Sequence, residues 1–419
     1  MFKKIRGFLF ENTSFRQTVL KNAIWLFSSQ IAGHAIRAIV VIYAARVLGA
    51  AGFGAASYAL SLAGIFMVIT EMGMGNVLTK EMVRNPDKRD RYFATALSLR
   101  SLLSLVSFFL IISIGPLITR IPEAAALLPL AALTLIFDSM RNLAIAFIHA
   151  KEKMEWEAGL MLFTNIATVG AGVGILAIYV TPASMLYGYA FGSGAGFLAA
   201  FIALRKYIKK TAANFDRTIA VDLLKQSLPL AFMGLLGGTM LSVDTIMIGW
   251  WNGATDVGLY TAAQKPIQIA YGFALVAGSS LLPAFSRVAR EDTARFTSVL
   301  REVMRPVILI SGVTSLICVL FAKELLVFVY GASYAPAAGT FMILALTIAI
   351  NTPIIIGFNA IIATGKQKIY LWSAPIEAAS NVALNALLIP RMGIEGAALS
   401  TLITQLFVNA YLWSKIRKL

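Results

Sequence analysis

The sequence predicts an all-α integral membrane protein of about twelve transmembrane helices arranged in two six-helix lobes. Three observations carry this prediction. Apolar stretches of membrane-spanning length fill most of the 419 residues, basic residues concentrate in alternate loops, and the second half repeats features of the first. A hydrocarbon core about 30 Å thick needs roughly 20 apolar residues at 1.5 Å each. Such stretches fold as helices because a chain in lipid must satisfy its own backbone hydrogen bonds.

Twelve stretches meet this length, and the connections between them are short. The mean hydropathy of +0.78 and the 13% share of charged residues agree with burial in lipid. Residues 1–21 mix basic and apolar side chains and predict an amphipathic lead-in helix at the membrane surface. We place the spans at 23–47, 54–78, 93–116, 125–149, 157–180, 183–204, 227–250, 259–284, 303–322, 338–363, 369–390 and 394–414.

The distribution of basic residues predicts the topology. Of 36 Lys and Arg, 27 fall in the N-terminus, the C-terminus and alternate loops, and only four fall at the opposite ends of the spans. Short cytoplasmic loops are enriched in Lys and Arg, so both termini are expected in the cytoplasm and the protein in the cytoplasmic membrane. The net charge of +16 therefore reflects topology and does not indicate nucleic-acid binding.

The two halves are predicted to be copies of one six-span unit. Lys21, Gly49 and Gly54 recur 204 residues later as Lys225, Gly253 and Gly258, and the pair Lys151 and Lys153 recurs 215 residues later. The increase of the offset from 204 to 215 implies about eleven extra residues in the second half, which we place in 323–337. We predict an N-lobe of 1–213 and a C-lobe of 214–419. An even number of spans in each copy gives a pseudo-two-fold axis along the membrane normal, as in alternating-access carriers.

Several function classes are excluded or disfavoured. The lone Cys318 excludes an internal disulfide, and His34 and His149 without a second Cys make no recognisable metal site, so we expect no cofactor or metal. The sequence contains no Walker-type nucleotide-binding motif. The loop 80–87 lacks the pattern of major facilitators, and the outer loops are too short for a glycosyltransferase site, so we expect a transporter rather than an enzyme.

Charged residues inside the spans are the candidates for function, because a charge at the bilayer centre costs about 2.5–3.5 kcal/mol on insertion scales. Arg100 and Arg305 lie nearer the cytoplasmic ends and are expected to snorkel. Asp138 and Arg141 share a helix face, so either they neutralise each other or Arg141 serves the substrate. The other intramembrane charges are Arg37, Glu71, Asp244, Lys265 and Glu377.

Arg37 is the strongest candidate for an anion site. It lies near the middle of span 1 without an acidic residue three or four positions away, and its counterpart in the second half is Leu241. A guanidinium binds phosphate through two parallel hydrogen bonds and stays charged. Lys265 is a second candidate contact. The alternative for Arg37 is a structural ion pair with Glu71 or Asp244.

The acidic and amide side chains have two interpretations each. Glu71, Asp244 and Glu377 either carry a coupling proton or sodium ion or form structural pairs. The amides either contact glycan hydroxyls, Asn359 among them, or join helices by hydrogen bonds. These amides are Asn165, Asn351, Asn359, Asn381, Asn385 and Gln405.

Four segments resemble those of polysaccharide flippases. Residues 45–54 read ARVLGAAGFG, and 71–75 read EMGMG with Thr-Lys-Glu at 79–81. In the second half, 244–249 read DTIMIG and 257–260 read VGLY. These segments occur in order and resemble the oligosaccharide flippase (Wzx-like) branch of the superfamily that includes multidrug extruders of the MATE type and the lipid II flippase. The lipid II flippase has extra C-terminal helices that the twelve predicted spans do not include, so we do not expect that identity.

The resemblance implies a MATE-like fold and a specific function. The chain would translocate an undecaprenyl-pyrophosphate-linked oligosaccharide from the inner to the outer leaflet by alternating access, driven by an ion gradient or the membrane potential. Its partners would be this lipid-linked substrate, membrane lipids and polysaccharide assembly proteins. The alternative is a cation-coupled extruder of small molecules.

Overall fold

The computed structural model describes residues 15–208, 215–291, 293–366 and 368–417, and it is helical in nearly all of them. Two short 3-10 helices, Pro86–Lys88 and Ala332–Ala337, connect longer elements. The α-helices are α1 (Phe15–Glu71), α2 (Met74–Arg84), α3 (Arg89–Ile118), α4 (Pro122–His149), α5 (Met154–Ile178), α6 (Pro182–Ile208), α7 (Arg217–Trp251), α8 (Ala254–Glu291), α9 (Thr293–Leu320), α10 (Ala322–Tyr330), α11 (Ala338–Ala363) and α12 (Lys368–Ile416). The all-α prediction is confirmed. Of the predicted lead-in helix, residues 1–14 lie outside the described residues.

The helix α12 holds two predicted spans, and α1 holds the first span and most of the second, which was predicted to end at 78 but is broken after Glu71. At 1.5 Å per residue, the 57 residues of α1 would extend far beyond a bilayer core of about 30 Å if they were straight. The chain instead turns at Gly49 (φ 66°) in α1 and at Gly393 (φ 58°) in α12, where left-handed backbone favours glycine. The described residues contain ten segments that are long and apolar enough to cross a membrane, and the two longest enclose these turns. When each of these two segments is counted as a pair of spans, the ten segments correspond to the twelve predicted spans.

The second half contains the extra element that the repeat spacing predicted. In the first half, α3 and α4 are joined by residues 119–121 alone. In the second half, α10 and the 3-10 helix Ala332–Ala337 are inserted between α9 and α11. Tyr330 and Tyr334 are buried there, with ring centroids 5.5 Å apart. The predicted insertion in 323–337 is confirmed.

The charged loops are shorter than the sequence suggested. The predicted loop 205–226 is helical up to Ile208 and again from Arg217, and in 285–302 only residue 292 lies outside the described helices. Charged side chains are compatible with a helix that continues beyond the hydrocarbon. Hydropathy alone therefore predicts helices that are shorter than the observed ones at both ends of a charged loop.

The chain divides into two compact units, Met1–Val47 with Ala59–Gly238, and Leu48–Tyr58 with Thr239–Leu419. The lobe boundary at 213/214 stays a prediction. In the first unit, α6 packs on α5 through a ladder of small residues, Gly188, Gly192 and Gly196. A Cβ on Gly188 would lie 2.3 Å from the Gly172 Cα, and one on Gly192 would lie 1.9 Å from the Thr168 hydroxyl oxygen. The ladder therefore serves close helix packing.

In the second unit, the helix beginning after Gly49 and the start of α8 contact each other through repeat-equivalent positions. A Cβ on Gly54 would lie 1.8 Å from the Ala254 carbonyl oxygen, and one on Gly258 would lie 1.9 Å from the Ala50 carbonyl oxygen. These pairs are related by the offset of 204, so the contact is reciprocal in the way that a two-fold requires. The sequence repeat thus has a structural counterpart.

Candidate functional site

Arg37 is held by an amide and not by a carboxylate. Its Nε and Nη2 atoms donate to Oδ1 of Asn165 on α5, at 3.3 and 3.0 Å. Asn165 is buried, whereas Arg37 is exposed. Among the described residues of the first unit, no carboxylate oxygen lies within 4 Å of Arg37, so the predicted ion pair with Glu71 does not form, and the alternative with Asp244 of the other unit stays a prediction. The guanidinium is oriented by a neutral amide and has no carboxylate partner within its own unit.

The second candidate in the first unit, Arg141, is paired. Its Nη1 atom lies 2.7 Å from Oδ1 of Asp138, one helical turn earlier on α4, as the spacing allowed. Arg141 is largely buried, at 15% exposure, and Asp138 is more open, at 29%. Tyr189 of α6 lies within electrostatic reach of both Arg37 and Asp138. The first unit therefore brings one oriented cation, one ion pair and one phenol into the same region.

Glu71 and Arg100 form a structural cluster at the break between α1 and α2. Arg100 is 1% exposed, with Nη1 3.8 Å from Oε1 of Glu71 and donating to the Ser139 carbonyl at 3.2 Å. Its Nη2 donates to the Glu71 backbone carbonyl, and Asn142 donates to the Glu71 carboxylate at 2.6 Å. The expectation that Arg100 snorkels is wrong. The helix α1 ends where Met72 takes a positive φ of 42°, and Arg100 is buried there because it donates to the Glu71 carbonyl at this helix end.

Asp244 lies at the centre of the main polar cluster of the second unit. Tyr260 and Thr401 donate to its Oδ2 atom at 2.6 and 3.0 Å, and Asn385 donates to Oδ1 at 2.6 Å. Asn385 also donates to Oδ1 of Asn381, at 3.1 Å. Asp244 is 2% exposed, and among the described residues no Lys, Arg or His lies within 4 Å of it.

This cluster offers oxygen atoms of the kind that a small hard cation prefers as ligands. Its oxygens come from one carboxylate, two hydroxyls and two amides, and hard cations prefer such ligands. The Oδ1 atom of Asn385 is buried and has no hydrogen-bond partner. Sequence reasoning identified Asp244 but not Tyr260 or Thr401 as its neighbours. The sequence offered one signal for the cluster, because Asn381 and Asn385 are four residues apart and so lie on one face of a helix.

The remaining candidates lie elsewhere in the second unit. Lys265 donates to Oε1 of Gln268 at 3.2 Å, and Asn359 donates to the Ile355 carbonyl of its own helix at 3.2 Å. Glu377 is half-buried near Tyr271, and within the described residues it makes no hydrogen bond or ion pair. The predicted residues thus do not form one cluster in this unit.

Metal-binding clusters of three or more His, Cys, Asp or Glu are absent from the residues that the structure describes. Cys318 is a free thiol on α9. A zinc-type or iron-type centre therefore has no ligand set in this part of the chain.

The long apolar helices, with polar residues within them, define a multi-pass membrane protein. Residues 19–289 match the family described as polysaccharide biosynthesis protein, and the chain belongs to that family. The relatives that match the chain are named as flippases and transporters, not as enzymes.

Three relatives are 22% identical to the chain. One, of Haloferax volcanii, is named a probable low-salt glycan biosynthesis flippase, Agl15, and the match covers 91% of this chain and 80% of the relative. Another is the succinoglycan biosynthesis transport protein ExoT of Rhizobium meliloti, with 94% and 78% covered. A protein of Shigella flexneri named as an O-antigen transporter matches with 91% and 94% covered.

Solved structures share the fold. The lipid II flippase MurJ in an inward closed conformation superposes with a TM-score of 0.77 at 17% identity, covering 95% of this chain and 87% of the other. A multidrug resistance MATE family transporter in an inward-facing conformation gives a TM-score of 0.71 at 13% identity, with 94% and 98% covered. The predicted MATE-like fold is confirmed.

Proposed function

We propose that the chain translocates a polyprenyl-pyrophosphate-linked oligosaccharide from the cytoplasmic to the outer leaflet of the cytoplasmic membrane by alternating access. The observation that carries this proposal is Arg37. A cation within a membrane span is retained at a cost of about 2.5–3.5 kcal/mol, and its partner here is a neutral amide. An anionic group of the substrate is the missing counter-charge, and a guanidinium binds a pyrophosphate through paired hydrogen bonds.

The physical problem of transport fits this assignment. A pyrophosphate and a hydrophilic glycan need a polar path across the hydrocarbon, whereas the prenyl chain stays in lipid. In the proposal, Arg37 takes the pyrophosphate, Lys265 and Arg141 supply further positive charge, and Asn359 contacts glycan hydroxyls. The names of the relatives, which include a glycan biosynthesis flippase and an O-antigen transporter, support this class of substrate.

Substitutions at Arg37 test the site. Arg37→Lys keeps the charge but loses the planar fork, so partial function is expected, and Arg37→Ala should abolish function while the protein still inserts and melts as the wild type does. Complementation of a flippase-deficient strain and the Tm in detergent are the measurements. A lowered Tm that is restored by neutralising Glu71 or Asp244 as well would overturn the site. Asn165→Ala is the matched positioning variant, expected to weaken function without removing the charge.

Coupling to an ion is proposed at Asp244. The oxygen set of Asp244, Tyr260, Asn381, Asn385 and Thr401 fits Na⁺, which would supply the charge that balances the buried carboxylate. Protonation of Asp244 is the competing form of coupling, and Glu377 is a separate candidate for a proton. Protection of the wild type against heat by Na⁺ but not by K⁺, lost in Asp244→Asn, would distinguish sodium from proton coupling.

The second candidate function is a cation-coupled extruder of small molecules. The likeness to a MATE transporter and the ion-type cluster at Asp244 favour it. Export of cationic dyes from cells would support this reading, and lack of complementation by the wild type would favour it over the lipid-linked substrate.

A further inference from the structure

The two halves of α12, before and after Gly393, enclose a groove. Its cavity volume is 630 Å³, within the range of about 300–1,000 Å³ typical of small-ligand sites. The principal lining residues are Ser373, Ile376 and Ser380 from the first half and Ile403, Phe407 and Tyr411 from the second. The segment Ser373–Ile416, which forms both walls of the groove, is long and apolar enough to cross a membrane, as a groove within hydrocarbon requires.

The groove occupies one half of the bilayer. Its lining on the first half of α12 runs from Ser373 to Leu384, which corresponds to about 16 Å at 1.5 Å per residue. The hydrocarbon core is about 30 Å thick, so the groove extends across roughly one leaflet. Its lining residue Tyr411 lies four residues from Lys415, near the end of α12 that the charge asymmetry predicts to be cytoplasmic.

The groove is lined by both large apolar and small side chains. Ile376 and Phe407 are 61% and 76% exposed, and Ser380, Ala383 and Thr404 are among the smaller lining residues. Exposed apolar side chains are ordinary in a membrane helix, but a concave apolar surface must be filled by hydrocarbon to keep its dispersion contacts. A lipid chain is therefore the chemistry that fits the groove.

The mouth of the groove is cationic. The Lys415 Nζ atom lies 5.1 Å from the centroid of the Tyr411 ring, which lines the groove. Lys366, before the first half of α12, is exposed, and segments 364–376 and 396–419 contain no acidic residue. An apolar groove with a positive end complements a lipid that has an anionic headgroup.

We propose that this groove binds the isoprenoid chain of the lipid-linked substrate, with the phosphate end near Lys415. The proposal rests on the proposed function for the identity of the lipid. The substrate begins its passage in the cytoplasmic leaflet, where the groove lies. The regular methyl branches of an isoprenoid fill pockets lined by small residues better than a linear acyl chain does.

Photo-crosslinking tests binding without requiring transport. The full chain in nanodiscs is irradiated with a diazirine-bearing polyprenyl phosphate, and labelled peptides are mapped. We expect labelling within 403–411. Unlabelled polyprenyl phosphate should compete with this labelling, and phosphatidylglycerol should not. Equal competition by phosphatidylglycerol would assign the groove to ordinary phospholipid and overturn the proposal, as would labelling elsewhere only. Lys415→Gln should weaken competition by polyprenyl phosphate about two- to fivefold, through loss of one exposed ionic contact, and leave that by polyprenol unchanged.

Transport kinetics supply the second test. Ser380→Trp fills the groove, and Leu406→Trp places the same bulk on a neighbouring exposed position that does not line it. In proteoliposomes, Ser380→Trp should raise the KM for a long-chain substrate about tenfold or more, because overpacking excludes the chain, and leave a two-isoprene analogue unaffected. An equal rise in KM for the long-chain substrate and the two-isoprene analogue, or an unchanged KM for both, would contradict the proposal that the groove binds the isoprenoid chain. Failure of the wild type to move either substrate would refute the proposed function, and the crosslinking result would still decide the groove.

Discussion

The reciprocal contact between the starts of the second span and of α8 gives a quantitative prediction for Gly54→Ala and Gly258→Ala. The added methyl would lie 1.8 Å from the Ala254 carbonyl oxygen in the first variant and 1.9 Å from the Ala50 carbonyl oxygen in the second. Contacts of this kind are normally near 3.5 Å, so the helices must separate by more than 1 Å. Backbone atoms cannot rotate away as a flexible side chain would.

We expect each substitution to destabilise the second unit by about 1–3 kcal/mol, the usual cost of overpacking. Because the two positions are equivalent in the repeat, the two losses should be similar. The assay is the Tm of purified protein in detergent. Gly174→Ala is the matched control, since its Cβ would meet nothing within 4 Å and alanine favours a helix. A Tm unchanged in either glycine variant, or lowered equally in the control, would refute this packing and the structural basis of the repeat.

Three further outcomes follow from the structure. Arg100→Met should lower stability by about 1–3 kcal/mol, because it removes the buried donor to the Ser139 and Glu71 backbone carbonyls, and the Tm would show it. Asp244→Asn should keep expression and slow turnover more than it weakens substrate binding, and the opposite pattern would contradict a coupling role. Reporter fusions after Ile121, Gly253 and Leu419 should give outside, outside and inside, whereas an outside signal at Leu419 would mean an odd number of crossings.

Much of the fold is predictable because hydropathy, charge and the spacing of repeated residues can be read directly along the chain, without knowing which distant residues meet. Twelve spans and the insertion in 323–337 follow from such patterns, and Gly49 and Gly393 lie where the predicted turns were. The start of α7 was placed too late, at 227 and not at Arg217, because charged residues continue a helix into water. The kink at Met72 has no such signal, since it depends on Arg100 reaching the freed carbonyl from another helix.

The polar sites were only half predictable for the same reason. Sequence identifies which charges are costly, such as Arg37 and Asp244, but not which distant side chain each one meets. Asn165 lies 128 residues from Arg37, and Thr401 lies 157 residues from Asp244. The Asp138 and Arg141 pair was foreseeable because it is local.

The central claim is that Arg37 recognises the pyrophosphate, and one flipping measurement tests it most directly. Wild type and Arg37→Ala are reconstituted with a pyrophosphate-linked glycolipid and with a neutral polyprenyl glycoside carrying the same sugar. The wild type should translocate the charged lipid far faster than the neutral one, and Arg37→Ala should lose that preference while its Tm stays the same. If Arg37→Ala moves the pyrophosphate-linked lipid at the wild-type rate, the assignment of Arg37 as the anion site is contradicted.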